Sequence, residues 1–153
     1  MNETSVATAQ EILREHEVVR SLLGELRALL DEGEEHHNNP DWNWRLCDKL
    51  WQFRRHLLRH FMLEETGGFM EDVVLRWPSA EEQVKKLRQD HVRILRNVDD
   101  LISASDLQAT GWGASFADFR QRCQNLFALI QRHETEENEL IQKVYYLEVS
   151  ALD

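Results

Sequence analysis

Several features are scarce in this chain of 153 residues, and each scarcity excludes a class of protein. With 6 Gly and 2 Pro, the chain has too few turn residues for a β-sandwich. Its two cysteines, Cys47 and Cys123, form no Cys-x-x-Cys motif, which excludes a disulfide scaffold and a thiolate zinc site. No apolar run approaches the ~20 residues that cross a bilayer. The composition therefore favours long helices.

Basic residues are also scarce, since 18 Lys and Arg stand against 28 Asp and Glu and the formal net charge is -10. This balance argues against a nucleic-acid-binding protein, which needs a basic surface to displace counterions from phosphates. The first residues lack the basic and apolar regions of a secretory signal. We expect a cytoplasmic protein with reduced thiols and without nucleic-acid or membrane partners. The alternative is a disulfide bond between Cys47 and Cys123.

Turn residues divide the chain into four long segments. Helices are predicted over residues 4–32, 40–66, 79–105 and 115–148. Pro40 suits a first helical turn, and Ser79 opens a capping box. Gly67-Gly68 breaks the second segment, which continues briefly to Arg76. The chain is expected to form one domain over residues 1–153, with its five Trp packed as lids over the bundle ends.

Core-type residues recur along each segment at alternating steps of three and four. The second segment shows this rhythm in Leu50, Phe53, Leu57, His60 and Glu64. Such spacing marks the inward face of helices in an antiparallel bundle. The sequence therefore predicts an all-α protein, an antiparallel up-down-up-down four-helix bundle.

Each inward face is interrupted by one histidine, and two faces carry a glutamate four residues later. The interrupting residues are His16, His60, Glu64, His91, His133 and Glu137. At a rise of about 1.5 Å per residue, the four histidines fall at one level of the bundle. Because a buried carboxylate is costly unless it is paired or metal-bound, this level is predicted to hold metal.

The spacing repeats between the two halves of the chain, with 44 residues from His16 to His60 and 42 from His91 to His133. The predicted site is therefore pseudo-two-fold symmetric. We assign His16 and His60 to one metal and His91 and His133 to the other, with both carboxylates bridging. With a bridging oxide or hydroxide, about one position per six-coordinate metal stays open. Mixed imidazole and carboxylate ligands fit non-haem iron, and less specifically manganese or zinc.

The two His-x-x-x-Glu segments resemble the signature segments of the hemerythrin-like, or HHE cation-binding, family. They are His60-Phe-Met-Leu-Glu64-Glu65 and His133-Glu-Thr-Glu-Glu137, and the resemblance covers essentially the whole chain. It implies a di-iron bundle that handles O2 or related small oxidants and gases. The chain differs from the O2-carrying hemerythrins, which have a second His where it has Leu95 and an Asp at five residues rather than Glu137 at four. Sensing or irreversible oxidation is therefore favoured over transport.

Several polar residues near the predicted site have open roles. His56 lies one turn before His60 and is read as a helix-face residue, an additional ligand or a hydrogen-bond donor to a ligand. Glu65 and Glu136 leave the inward face and are expected on the surface or beside the ligands. His36 and His37 are expected in a solvated loop.

Two functions compete at a di-iron centre of this kind. One is a protein that binds or senses O2, NO or peroxide at an open position, with a protein partner if it is a sensor. The other is an enzyme with peroxidase-like or damage-repair activity. A ferritin-like centre would need Glu-x-x-His pairs, and the chain offers only Glu34 and His37 in a polar stretch. A bundle without metal would leave six ionisable core residues unexplained.

Overall fold

The computed structural model describes residues 3–108 and 111–147. Its helices are α1 (Glu3–His36), α2 (Pro40–Glu65), α3 (Phe69–Arg76), α4 (Glu81–Asp106) and α5 (Phe116–Ile141). Helix α5 continues as a π-helical turn over Gln142–Leu147. The predicted end near Glu148 lies outside the described residues. No helix in the described part of the chain is long and apolar enough to cross a membrane.

The four long helices form a closed ring. Helix α1 packs against α2, α2 against α4, α4 against α5, and α5 against α1. Each connection, including the longer one through α3, joins two neighbours in this ring, which gives the antiparallel order that the alternating spacing indicated. The predicted all-α four-helix bundle is confirmed.

Helix α1 runs four residues beyond its predicted end at Glu32, to His36. Gly33 does not stop the helix, and it faces the interior. A Cβ at this position would lie 2.5 Å from the ring of Phe116 and 2.6 Å from that of Trp42. The glycine therefore gives these two aromatic side chains room to close the end of the bundle.

The break at Gly67-Gly68 separates α2 from α3. Gly68 has φ = 92°, a conformation that L side chains rarely adopt. Helix α3 then folds over the bundle end and buries Phe69, Met70 and Val73. The predicted capping box at Ser79 is wrong, because this residue lies in a 3-10 turn and α4 begins at Glu81.

The core consists of two apolar clusters with a polar level between them. The larger cluster includes Val19, Leu57, Ile94 and Ile130, and the smaller one includes Ile12, Phe69, Leu87 and Leu140. On α1, α4 and α5, the polar interruption falls between members of the two clusters, whereas on α2 it falls at the end of the helix and the smaller cluster continues in α3. Trp42 and Trp112 are buried as the expected lids, whereas Trp44 and Trp51 are exposed.

Candidate metal centre

The six interrupting residues meet at this polar level. None of them is more than 2% exposed. Each lies on a different turn of a long helix, so the rigid backbone fixes where its side chain enters the core. The residues are His16 on α1, His60 and Glu64 on α2, His91 on α4, and His133 and Glu137 on α5.

These side chains form two overlapping groups. His16, His60, Glu64 and Glu137 make one group, and Glu64, His91, His133 and Glu137 make the other. Within each group, one ligand atom from every residue lies within 4.8 Å of the others. Both groups could hold a metal ion, and both use the same two carboxylates.

The distances show the same two-fold relation. His60 Nε2 lies 2.9 Å from Glu64 Oε1, and His133 Nε2 lies 3.0 Å from Glu137 Oε1. Across the ring, His16 Nε2 lies 3.3 Å from Glu137 and His91 Nε2 lies 3.5 Å from Glu64. Each carboxylate thus contacts the imidazole of its own helix and one from a neighbouring helix.

The opposite ring nitrogen of three histidines is held by a hydrogen bond. His16 Nδ1 donates to Asn138 at 2.7 Å, and His91 Nδ1 donates to Glu65 at 2.7 Å. His133 Nδ1 donates to Asp90 at 3.2 Å. An N–H at Nδ1 leaves the lone pair on Nε2, which points at the carboxylates. Such bonds orient imidazoles for metal binding.

The inward-facing atoms have no hydrogen-bond partner among the described residues. They are Nε2 of all four histidines and both oxygens of Glu64 and Glu137. Leaving so many buried polar atoms unpaired would be costly, and a metal ion removes that cost by accepting their lone pairs. The donor set of imidazole nitrogen and carboxylate oxygen fits a first-row transition metal.

The protonation states also suit a metal. Burial lowers the pKa of His133 to about 4, so its imidazole is neutral at pH 7. Burial would raise the pKa of Glu64, but the imidazoles of His60 and His91, 2.9 and 3.5 Å from its Oε1, outweigh it and hold the pKa at about 2. Neutral imidazole and ionised carboxylate are the forms that bind metal.

The two halves of the centre differ in what covers them. Phe61 follows His60 and stacks on the His91 ring, with centroids 3.9 Å apart and 13° between planes. The equivalent residue after His133 is Glu134, which is 5% exposed. Its Oε2 lies 3.7 Å from Arg20 Nε, and its Oε1 is buried without a described hydrogen-bond partner. One half is therefore covered by an apolar ring and the other by a carboxylate.

His56 lies in neither group. Its Nε2 is 2.8 Å from Glu15 Oε2, and both side chains are mostly buried between α1 and α2. Glu15 is the repeat equivalent of Asp90, yet it contacts His56 rather than His60. The Nδ1 of His60 consequently has no hydrogen-bond partner among the described residues.

The remaining candidates lie away from the centre. His36 is exposed but ends helix α1, so the expected loop is wrong for it; His37 is half-buried and stacks on Phe116 at 4.7 Å, so the expected solvation is wrong for it. Cys47 and Cys123 are free, and burial raises the pKa of the Cys123 thiol to about 12. A thiol with this pKa stays protonated and is a poor metal ligand.

Sequence reasoning missed four residues around the centre: Asp90, Asn138, Phe61 and Glu134. Each is adjacent in sequence to one of the six, so their positions carried a usable signal. The sequence could not tell which neighbour of an inward residue turns toward the centre, because that depends on how adjacent helices are rotated.

Comparison with known families identifies the chain. Residues 7–145 match the model of the hemerythrin HHE cation-binding domain. The chain therefore belongs to the hemerythrin HHE cation-binding family, as its two His-x-x-x-Glu segments indicated. The search of curated proteins finds no match, and the search of solved structures finds none either.

Proposed function

We propose that this protein binds two iron ions, bridged by an oxide or hydroxide, and that O2, NO or peroxide binds at an open position on them. His16 and His60 would hold one ion and His91 and His133 the other, with both carboxylates bridging. The observation that carries the proposal is the pair of buried groups that share Glu64 and Glu137. When bound, the irons supply redox chemistry and open positions for a small ligand.

The surrounding residues prepare the centre for this role. Asn138, Glu65 and Asp90 hold three imidazoles with Nε2 directed inward. Phe61 excludes water from the side of His91. These contacts make the donor atoms converge before any ligand binds, which lowers the cost of ordering them.

Binding or sensing is favoured over reversible transport by the environment of Leu95. This residue stands where O2 carriers of the family have a second histidine on the third long helix. Its side chain packs against the larger apolar core. Helix α4 therefore offers the centre one imidazole, which would leave a coordination position open for an oxidant.

A peroxidase-like enzyme is the second candidate, and Glu134 is the observation that favours it. Burial raises the pKa of its carboxyl, against the opposing charges of His16 and Arg20. Reduction of peroxide to two waters consumes two protons as well as two electrons. A buried carboxyl beside His16 is well suited to pass such protons, whereas simple binding needs none.

Metal content tests the di-iron proposal. Protein produced with ample iron should hold two iron ions per chain, because the two groups are complete and share their carboxylates. Glu137→Ala should lose both ions, since it contributes to both groups, and His91→Ala should lose one. His36→Ala is the matched control and should retain two, because His36 is exposed.

One ion per wild-type chain, or zinc in place of iron, would contradict the proposal. Turnover of hydrogen peroxide with an added reductant separates the two candidates. An enzyme should show many turnovers that fall at least tenfold in Glu134→Gln, in line with the usual size of a proton-transfer contribution. A binding protein should show a spectral change without turnover.

A further inference from the structure

Helix α2 carries an apolar stripe on the face turned away from the bundle. Trp44, Trp51, Leu58 and Met62 lie on it at steps of seven, seven and four, and they are between 38% and 75% exposed. These steps bring the side chains onto one line along the helix. The buried residues of α2, such as Leu50, Phe53 and Leu57, lie on the opposite side. A stripe with two exposed tryptophans is unusual for a surface that meets only water.

Two opposite charges stand within the stripe. Asp48 and Arg55 fill the intervening steps of four and three, so positions 44 to 62 repeat the spacing of a coiled-coil seam. Both residues are exposed, and neither forms an ion pair with another described residue. The neighbouring Lys49 and Arg54, by contrast, pair with Glu25 on α1 and Asp99 on α4.

The order of these charges selects an antiparallel partner helix of the same sequence. A two-fold axis near position 53 sets Trp51 of one copy opposite Arg55 of the other, a favourable cation–π arrangement. It brings Asp48 of one copy near Arg55 and Arg59 of the other. A parallel pair would instead set Asp48 against Asp48 and Arg55 against Arg55.

We propose that this protein forms a two-fold symmetric dimer in which the outer faces of two α2 helices pack antiparallel. The interface is isologous, because the same stripe serves both copies. It lies on the side of α2 opposite to His60 and Glu64, so it does not depend on metal.

Sedimentation over a range of concentrations tests the dimer. The full chain should reach twice its mass of 18.1 kDa. Trp51→Lys should weaken association at least tenfold, because it sets a second positive charge against Arg55 of the other copy. Leu75→Lys on α3 is the matched control, since Leu75 is 74% exposed but lies off the stripe. It should dimerise like the wild type, and circular dichroism should show that both variants are folded.

A charge exchange tests the orientation. Asp48→Arg and Arg55→Asp should each be monomeric, because each sets like charges across the two-fold axis. Mixed together, the two variants should form a heterodimer, since arginines on one chain then face aspartates on the other. Capture of untagged Arg55→Asp by tagged Asp48→Arg measures this.

A wild-type chain that is monomeric at all concentrations would overturn the proposal. So would a dimer that survives Trp51→Lys, or equal loss of association in Leu75→Lys. Dimers that Asp48→Arg or Arg55→Asp forms alone as readily as the wild type would overturn the antiparallel arrangement, because a parallel pair already sets like charges together in the wild type.

Discussion

At the scale of single residues, the two halves of the centre are alike in their six inward residues and differ in the neighbours of those residues. Phe61 and Glu134 occupy equivalent positions, as do Glu15 and Asp90. The apolar ring keeps water from His91, while Glu134 brings a polar group close to His16 and Arg20. A small polar ligand should therefore meet the half that contains His16 and His60.

The role of His56 follows from its contact with Glu15. Because its Nε2 faces Glu15 Oε2, His56→Leu should leave two metal ions bound. It should lower the free energy of unfolding by about 1–3 kcal/mol, since a mostly buried carboxylate loses its partner. Metal analysis and urea unfolding measure the two effects. The repeat-equivalent residue is the buried Leu129, which indicates that leucine suits such a position.

His36→Leu is the control for this experiment, because its exposed side chain at the end of α1 should change neither quantity. Loss of a metal ion in His56→Leu would instead make His56 a ligand.

At the scale of the helices, hydrogen bonds to the histidines also join the bundle. His91 on α4 reaches Glu65 on α2, and His16 on α1 reaches Asn138 on α5. A bond that orients a ligand thus also ties two neighbouring helices together at the polar level, where apolar packing is interrupted.

Two glycines of α1 should respond oppositely to the same substitution. Gly33→Ala should destabilise the protein by about 1–3 kcal/mol, because its Cβ would lie within 3 Å of the buried Phe116 and Trp42 rings. Gly24→Ala should stabilise it by about 0.5–1 kcal/mol, since a Cβ at this exposed helical position would meet no other part of the protein within 4 Å.

Thermal melting compares the two variants, with an expected shift of roughly 2–4 °C per kcal/mol for a chain of this size. Melting temperatures that shift in the same direction in both variants would contradict the packing of Gly33 against the Phe116 and Trp42 rings.

At the scale of the whole molecule, acid should weaken the metal-free fold. His133 has a pKa of about 4 in the folded chain against an ordinary 6.5, so the unfolded chain takes up an extra proton as the pH falls through this range. Glu64, whose pKa is about 2 in the folded chain against an ordinary 4.5, adds a second loss of stability at lower pH. The metal-free protein should therefore melt about 5 °C or more lower at pH 4.5 than at pH 7.

Metal should raise the melting temperature and leave the helix content nearly unchanged, because the apolar clusters on both sides of the polar level remain packed. The increase should shrink in acid, as protons compete for the same nitrogen and oxygen atoms. Circular dichroism with and without a chelator from pH 5 to 8 measures it. Equal melting temperatures throughout would contradict a metal site.

The sequence by itself determined the four helices and the convergence of six residues at one level. Both follow from the helical period, which depends only on contacts between residues three and four apart along the chain. It also indicated the family, through the two motifs formed by His60 and Glu64 and by His133 and Glu137. The same local rules gave the wrong helix end at Gly33, which packs against Trp42 and Phe116. They also gave the wrong helix start at Ser79, which lies in a 3-10 turn.

The tertiary structure alone decided which atoms face the centre. Only the rotation and packing of neighbouring helices join His91 to Glu65 and His56 to Glu15, and only they turn Glu134 inward while Trp51 stays exposed. These contacts link residues far apart in the chain, and their geometry depends on side chains from two helices at once. No periodicity within one helix contains that information.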